Sequence, residues 1–484
     1  MTASNGDTGR IRGVLGPRTR HVIYGDLSPA DLRAELPLMI TVDRAHLVML
    51  AEQRLISPAT AAELLRCLDK LAEADYAPLH SRPAPRGIYL MYEGYLISQL
   101  GPDIGGVLQS GRSRNDLKAT LTLLRLRDRL LELATQATRL EAVLLSAARR
   151  HRDVIMPVYT HFQAALPTTY GHYLLGVALA LGRDVDALRT ASAGLRVCPL
   201  GAGAATGTDL PINPARTASL LGFDTPTRHA LDAVASRDVA LHILAAAASL
   251  VVLLSRLATD LQLWSTTEFG FLTFPDRLVG SSSAMPQKRN AFLLEHLKAK
   301  PAHVIGAWTA AASAMSATPF TNSIEVGTEA VAALWPGLTA ALDAVLLAQV
   351  LVTGAHPHPD RMADRTTTGF TTATALANHL VRTGTPFRTA HHEVGTAVRH
   401  ALEAGSTNLT DFAPPGRLPA LSPTTVVHTQ THGGGPGDFD TPHAHATTTY
   451  RTHHHWLHTW RQTLTQAEAE LSSATTTLCA PEPR

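Results

Sequence analysis

Between residues 118 and 150 the chain carries leucines at 123, 126, 130, 133, 140 and 144, separated by arginines and acids and by no proline. Apolar residues recurring at threes and fours mark one stripe of an α-helix. At ~1.5 Å rise per residue, a helix of this length approaches ~50 Å. A rod that long is stable only where its stripe is covered by other helices. The sequence supplies them. Helical periodicity returns over residues 170–189, 238–264, 293–316 and 337–352, with a kink or break expected near Pro301. Several of these stretches are alanine-rich and apolar nearly all round, more than one chain can cover. The expectation is an all-α fold whose central bundle assembles with other copies of itself.

On either side the pattern changes. Residues 28–35, 42–52 and 57–73 read as shorter helices, and Ser28-Pro29 and Ser57-Pro58 each read as an N-cap followed by proline at the first helical position. Beyond residue 355, Thr, His, Pro and Gly become frequent, and residues 433–437 form a glycine-rich loop. Three helical domains are therefore expected: 1–105, 106–355 with a motif loop at 276–290, and 356–484 with its His/Thr/Gly-rich segment.

Composition narrows the function classes. With 42 basic and 40 acidic residues and no basic block, a nucleic-acid partner is not expected. Cys67, Cys198 and Cys479 are scattered and odd in number, which fits a reducing, cytoplasmic setting without a disulfide framework. Residues 1–10 show no apolar stretch behind a basic one, so no leader is expected. The apolar run 239–254 is shorter than the ~20 residues of a membrane span and is read as a core helix. His453-His454-His455 suggests a metal site, but with 24 histidines in the chain a solvated surface is the preferred reading, and no metal is expected.

Three segments carry chemistry. Ser281-Ser282-Ser283-Ala284-Met285-Pro286-Gln287-Lys288-Arg289-Asn290 is a small-residue loop, with hydroxyls and a lysine, that leads into a helix. Tyr159-Thr160-His161-Phe162-Gln163 sets an imidazole between hydrogen-bonding side chains. Ser110-Gly111-Arg112-Ser113-Arg114-Asn115-Asp116 offers arginine forks and an amide, the donors a dicarboxylate needs.

The first segment resembles the glycine-serine-serine-x-methionine-proline-x-lysine-x-asparagine signature of the aspartase/fumarase superfamily. The other two are similar to the threonine-histidine-x-glutamine and glycine-arginine-serine-arginine-asparagine-aspartate segments of argininosuccinate lyases. The resemblance runs from about residue 90 to 400. It implies a homotetramer in which three motifs from three subunits meet, and a small-molecule succinyl-amine substrate that loses fumarate by β-elimination. It implies Ser282 as general base, Lys288 stabilising an aci-carboxylate intermediate, and His161, oriented by Glu295, moving a proton on the leaving-group side. Asn115, Thr160 and Asn290 would hold carboxylates, with Arg114, Gln163 and Ser283 completing the substrate-binding set. Neither a metal nor an organic cofactor is implied.

The chain departs from the family in four places. Ser281 stands where the signature has glycine, which restricts the loop backbone; Ser281 and Ser283 are therefore lesser candidates for the base. The family's glutamate-aspartate-x-histidine falls on Arg86-Gly87-Ile88-Tyr89. Its tyrosine-asparagine-lysine-aspartate-x-glutamine falls on Thr321-Asn322-Ser323-Ile324-Glu325-Val326, and Ala291-Phe292 replace a proline and an aspartate. The fumarate half of the site is retained and the amine half is rebuilt. A lyase for a different N-substituted aspartate, in specialised metabolite biosynthesis, is the expected function; argininosuccinate lyase proper and a non-catalytic descendant are the alternatives.

Overall fold

The computed structural model describes residues 15–84 and 86–480. The N-terminal stretch read for a leader lies outside them. Nearly all the regular structure is helical. The helices that matter here are α1 (Pro29–Glu52), α2 (Pro58–Glu73), α3 (Ile88–Leu100), α4 (Arg114–Arg150), α5 (Tyr170–Ala191), α6 (Asp238–Trp264), α7 (Phe292–Met315), α8 (Leu334–Gly354), α9 (Ala373–Arg382), α10 (Phe387–Glu403) and α11 (Asp440–Cys479). Two antiparallel hairpins are added: β1 (Ile155–Thr160) with β2 (Gln163–Thr169), and β3 (Gly280–Ser281) with β4 (Arg289–Asn290).

α4 begins four residues before the leucine periodicity because Ser113 caps it. The Asn115 N–H donates to Ser113 Oγ at 3.3 Å, and the Ser113 N–H donates to Asp116 Oδ1 at 2.9 Å. All six leucines of its stripe are buried. α4 packs on α5 and α8, α6 on α5, α7 and α8, and α7 on α8, so these five form the central bundle. By length and composition, α6 and the stretch Glu325–Gly354 could each cross a membrane, yet both lie side by side in this bundle, about half buried. Val252, Ile305, Trp308, Leu346 and Val350 stay exposed on its outer side.

Two expectations are corrected. Residues 28–35 and 42–52 are one helix, α1, which runs through Pro37. Leu32, Leu36, Met39 and Ile40 pack on both sides of the proline into one cluster, and the Arg33 carbonyl that Pro37 cannot bond lies on the exposed side. Of the kink or break expected near Pro301, the break is absent: α7 continues through it, with the adjacent Lys300 ammonium 2.7 Å from Asp343 of α8.

α9 and α10 build a small separate core. α11 instead returns to lie along α4, α5 and α2. Helical geometry splits the histidine triplet. His454 and His455 face solvent, whereas His453 is buried with Nδ1 2.9 Å from Glu141 of α4 and Nε2 3.2 Å from Asp186 of α5. Burial opposes the imidazolium, but the hydrogen bonds and charges of both carboxylates outweigh it, and the His453 pKa is raised above 6.5. A raised basic pKa contributes stability that is complete below 6.5 and is lost as pH rises through the folded-state pKa. Burial also raises the Glu141 pKa, and its effect has the same sign. The unfolding midpoint is therefore expected to fall as pH rises, from 4.5 upward through Glu141 and from 6.5 upward through His453, and His453→Gln to flatten the upper part of that slope. Parallel wild-type and variant profiles would refute the assignment.

Candidate active site

The signature segment is a hairpin loop. Gly280 pairs with Asn290 and Ser281 with Arg289, leaving 282–288 as the connection. Arg289 pins its base, donating to Asp276 at 2.5 Å and to the Phe274 carbonyl at 2.9 Å. Ser281 is extended and is not among the residues with positive φ, so serine meets no backbone penalty where the signature has glycine. Ser282 Oγ accepts the backbone N–H of Ala284 at 3.3 Å and of Met285 at 3.0 Å. Ser283 and Lys288 are exposed and Asn290 half-buried.

The second segment is the tip of the β1–β2 hairpin. Thr160 pairs with Gln163, and His161 and Phe162 form the two-residue turn with φ of 52° and 60°. Such turns follow strand twist but favour Asn-Gly; each left-handed side-chain residue costs roughly 1–2 kcal/mol. His161 and Phe162 both project from the tip, and Phe162 is 78% exposed. Tyr159, packed against Phe269 and Phe271, anchors the hairpin.

The third segment separates its two arginines. Arg112 is buried, with Nη1 2.6 Å from Asp43 of α1, and both side chains are fully enclosed. Tyr92 of α3 donates to the other Asp43 oxygen at 2.6 Å. Arg114 is exposed at the start of α4. Asn115 donates to the Ala204 carbonyl at 3.0 Å. Asp116 accepts the N–H groups of Gly201 and Gly203 at 3.0 and 2.9 Å, tying the 199–214 loop to the helix start. Burial raises the Asp116 pKa against the pull of these donors.

Among the described residues no hydrogen bond or ion pair joins Ser282, Lys288, His161 and Glu295. Glu295, in the first turn of α7, accepts from Gln262 at 3.1 Å instead. The structural pairing of Arg112 with Asp43 left no trace in the sequence. Nor did the buried His46, whose Nε2 meets the Ser110 carbonyl at 2.9 Å.

A family model described as lyase matches residues 47–306, and one described as argininosuccinate lyase C-terminal matches residues 370–414. The argininosuccinate lyase of Methanoculleus marisnigri is 40% identical over 413 residues, covering 84% of this chain and 83% of that protein. The chain belongs to the argininosuccinate lyase-like members of the aspartase/fumarase superfamily. A second argininosuccinate lyase, from Shouchella clausii, is 36% identical over 78% of this chain and 76% of its own. The crystal structure of EDDS lyase with formate superposes with a TM-score of 0.84 at 28% identity, covering 98% of both chains. As a family member the chain is a carbon–nitrogen lyase of the fumarate-eliminating type, with the all-α architecture expected from its periodicity.

Proposed function

We propose that this lyase eliminates fumarate from an N-substituted aspartate other than argininosuccinate, in a homotetramer, with Ser282 as general base. The observation that carries the reading is the pair of backbone N–H groups aimed at Ser282 Oγ. A serine hydroxyl is too weak an acid to act as a base unless its oxyanion is stabilised, and two preorganised donors supply that. The Ser282 oxygen takes the Cβ proton. The C–H electrons pass into the adjacent carboxylate, whose aci form Lys288 neutralises. They then return to form the C=C bond as the Cα–N bond breaks, and His161 protonates the departing nitrogen.

Asn115, Thr160 and Asn290 hold the succinyl carboxylates, with Arg114, Gln163 and Ser283 beside them. The exposed, unjoined positions of the three segments support a site assembled between subunits, in which Glu295 orients the His161 of another copy. So do the uncovered apolar residues of the bundle. Residues 86–89 and 321–326, rebuilt on the amine side, support a changed leaving group, because a site built to pair polar groups rejects ligands that leave them unpaired. The likeness to a lyase named for EDDS supports the same view. Identity to argininosuccinate lyases favours ordinary argininosuccinate as the second reading.

Fumarate release from argininosuccinate, compared with addition of a panel of amines, hydrazines and guanidines to fumarate, separates the two. The expected result is turnover of another amine with the higher kcat/KM. Argininosuccinate cleaved with ordinary efficiency would overturn the changed substrate and leave the lyase.

A further inference from the structure

The family motifs from which this chain departs contain four acids, and none of them is kept. Arg86 and Gly87 stand for a glutamate and an aspartate, Phe292 for a second aspartate and Ile324 for a third. From Arg277 to Ile324 the only carboxylate left is Glu295. Two of the replacements are apolar, and both lie open: Phe292 is 38% exposed and Ile324 63%. Ile324 immediately precedes the π-helical turn Glu325–Glu329, which packs on α7.

Phe292 opens α7 two residues after Asn290. A Cβ added to Gly280 would come within 3.1 Å of its ring, so the phenyl lies against the base of the hairpin that carries Ser282. The His296 ring packs T-shaped against it, with centroids 5.9 Å apart. Residues three apart share a helix face, and Phe292 and Glu295 are both exposed there. In the proposed reaction Glu295 orients the imidazole that protonates the departing nitrogen. The phenyl therefore neighbours the leaving group. Phe162, exposed at the hairpin tip, directly follows that imidazole in the chain. A cation set among these side chains would lose water and gain no carboxylate, since Glu295 is committed to His161. The face of a phenyl ring offsets only part of that loss.

We propose that Phe292, with Ile324 and Phe162, walls an apolar pocket, and that the leaving amine carries an uncharged hydrocarbon group. This rests on the reading of the chain as a lyase for an N-substituted aspartate.

The test adds two amines of equal shape to fumarate with the full-length protein: butylamine and trimethylenediamine, which set a methyl against an ammonium. Wild type is expected to favour butylamine in kcat/KM, referred to the free amine, by on the order of 10- to 100-fold, the span of one desolvated polar group left unpaired. Phe292→Asp restores a carboxylate and should erase or reverse the preference. An acid in a first helical turn is favourable, so this variant is expected to keep its melting temperature. Phe292→Leu should retain the preference. Equal rates in wild type, a preference for the diamine, or a butylamine preference that Phe292→Asp leaves unchanged overturns the pocket and leaves the lyase. If neither amine is turned over, calorimetric binding of N-butyl-aspartate against its terminal-ammonium counterpart decides. Tighter binding of the first that Phe292→Asp abolishes upholds the pocket and sinks the lyase reading; equal or absent binding overturns the pocket.

Discussion

With Ser282 as the proposed base, Ser282→Ala is expected to lower turnover by about two to four orders of magnitude, the worth of a positioned general base, and to leave the melting temperature unchanged. Both parts follow from the loop. Ser282 hangs in a connection whose neighbours are solvent-exposed, so losing its hydroxyl removes no buried contact. The N–H groups of Ala284 and Met285 lose an acceptor, but water replaces it. Steady-state fumarate release beside a thermal melt checks the pair of outcomes. A variant retaining more than about a tenth of wild-type turnover would move the role of base to Ser281 or Ser283, since general-base contributions fall below that only when the group is not the base.

Asp43→Ala is expected to act the other way, on the fold first. Asp43 and Arg112 are enclosed together, and Tyr92 donates to the same carboxylate. Removing one partner of a buried ion pair strands the other, at a cost of about 3–5 kcal/mol. Because Arg112 immediately precedes the Ser113 cap, loosening it also frees the helix start that carries Arg114 and Asn115, and KM should rise with the loss of stability. Replacing both members together, Asp43→Leu with Arg112→Met, should recover most of the stability, since no charge is left unpaired. Denaturant midpoints measure both. A loss below about 1 kcal/mol for Asp43→Ala, the range of exposed pairs, would mean that the two charges are solvated after all.

Much of the architecture was legible because it is written locally. The stripe of α4 needs only its own leucines, α6 spans the 238–264 stretch of helical periodicity, and Ser57 caps α2 as its sequence suggests. Pro37 misled because a proline is a local signal, whereas the continuity of α1 is decided by a stripe packing across it. Motif residues could be named without geometry. What could not be read was which charges point inward: Arg112 and Arg114 are two residues apart in one motif, yet one is sealed against Asp43 and the other meets solvent. His453 differs from His454 only by its angle on the helix. Ion pairs between distant parts of the chain leave no periodic trace.

The segment after α7 has a consequence for how such a protein changes its diet. Phe320, Thr321 and Ile324 are exposed, and Gly327 is only partly covered. Exchanges at exposed positions alter stability by about 0.5 kcal/mol or less. On the proposed reading, the exposed positions of this amine-side rim can therefore be exchanged at little cost in stability, while buried Val326 and the leucine-packed rods beneath stay as they are. A lineage can try new nitrogen partners at the edge without wagering the scaffold, and the elimination chemistry is inherited intact with each attempt.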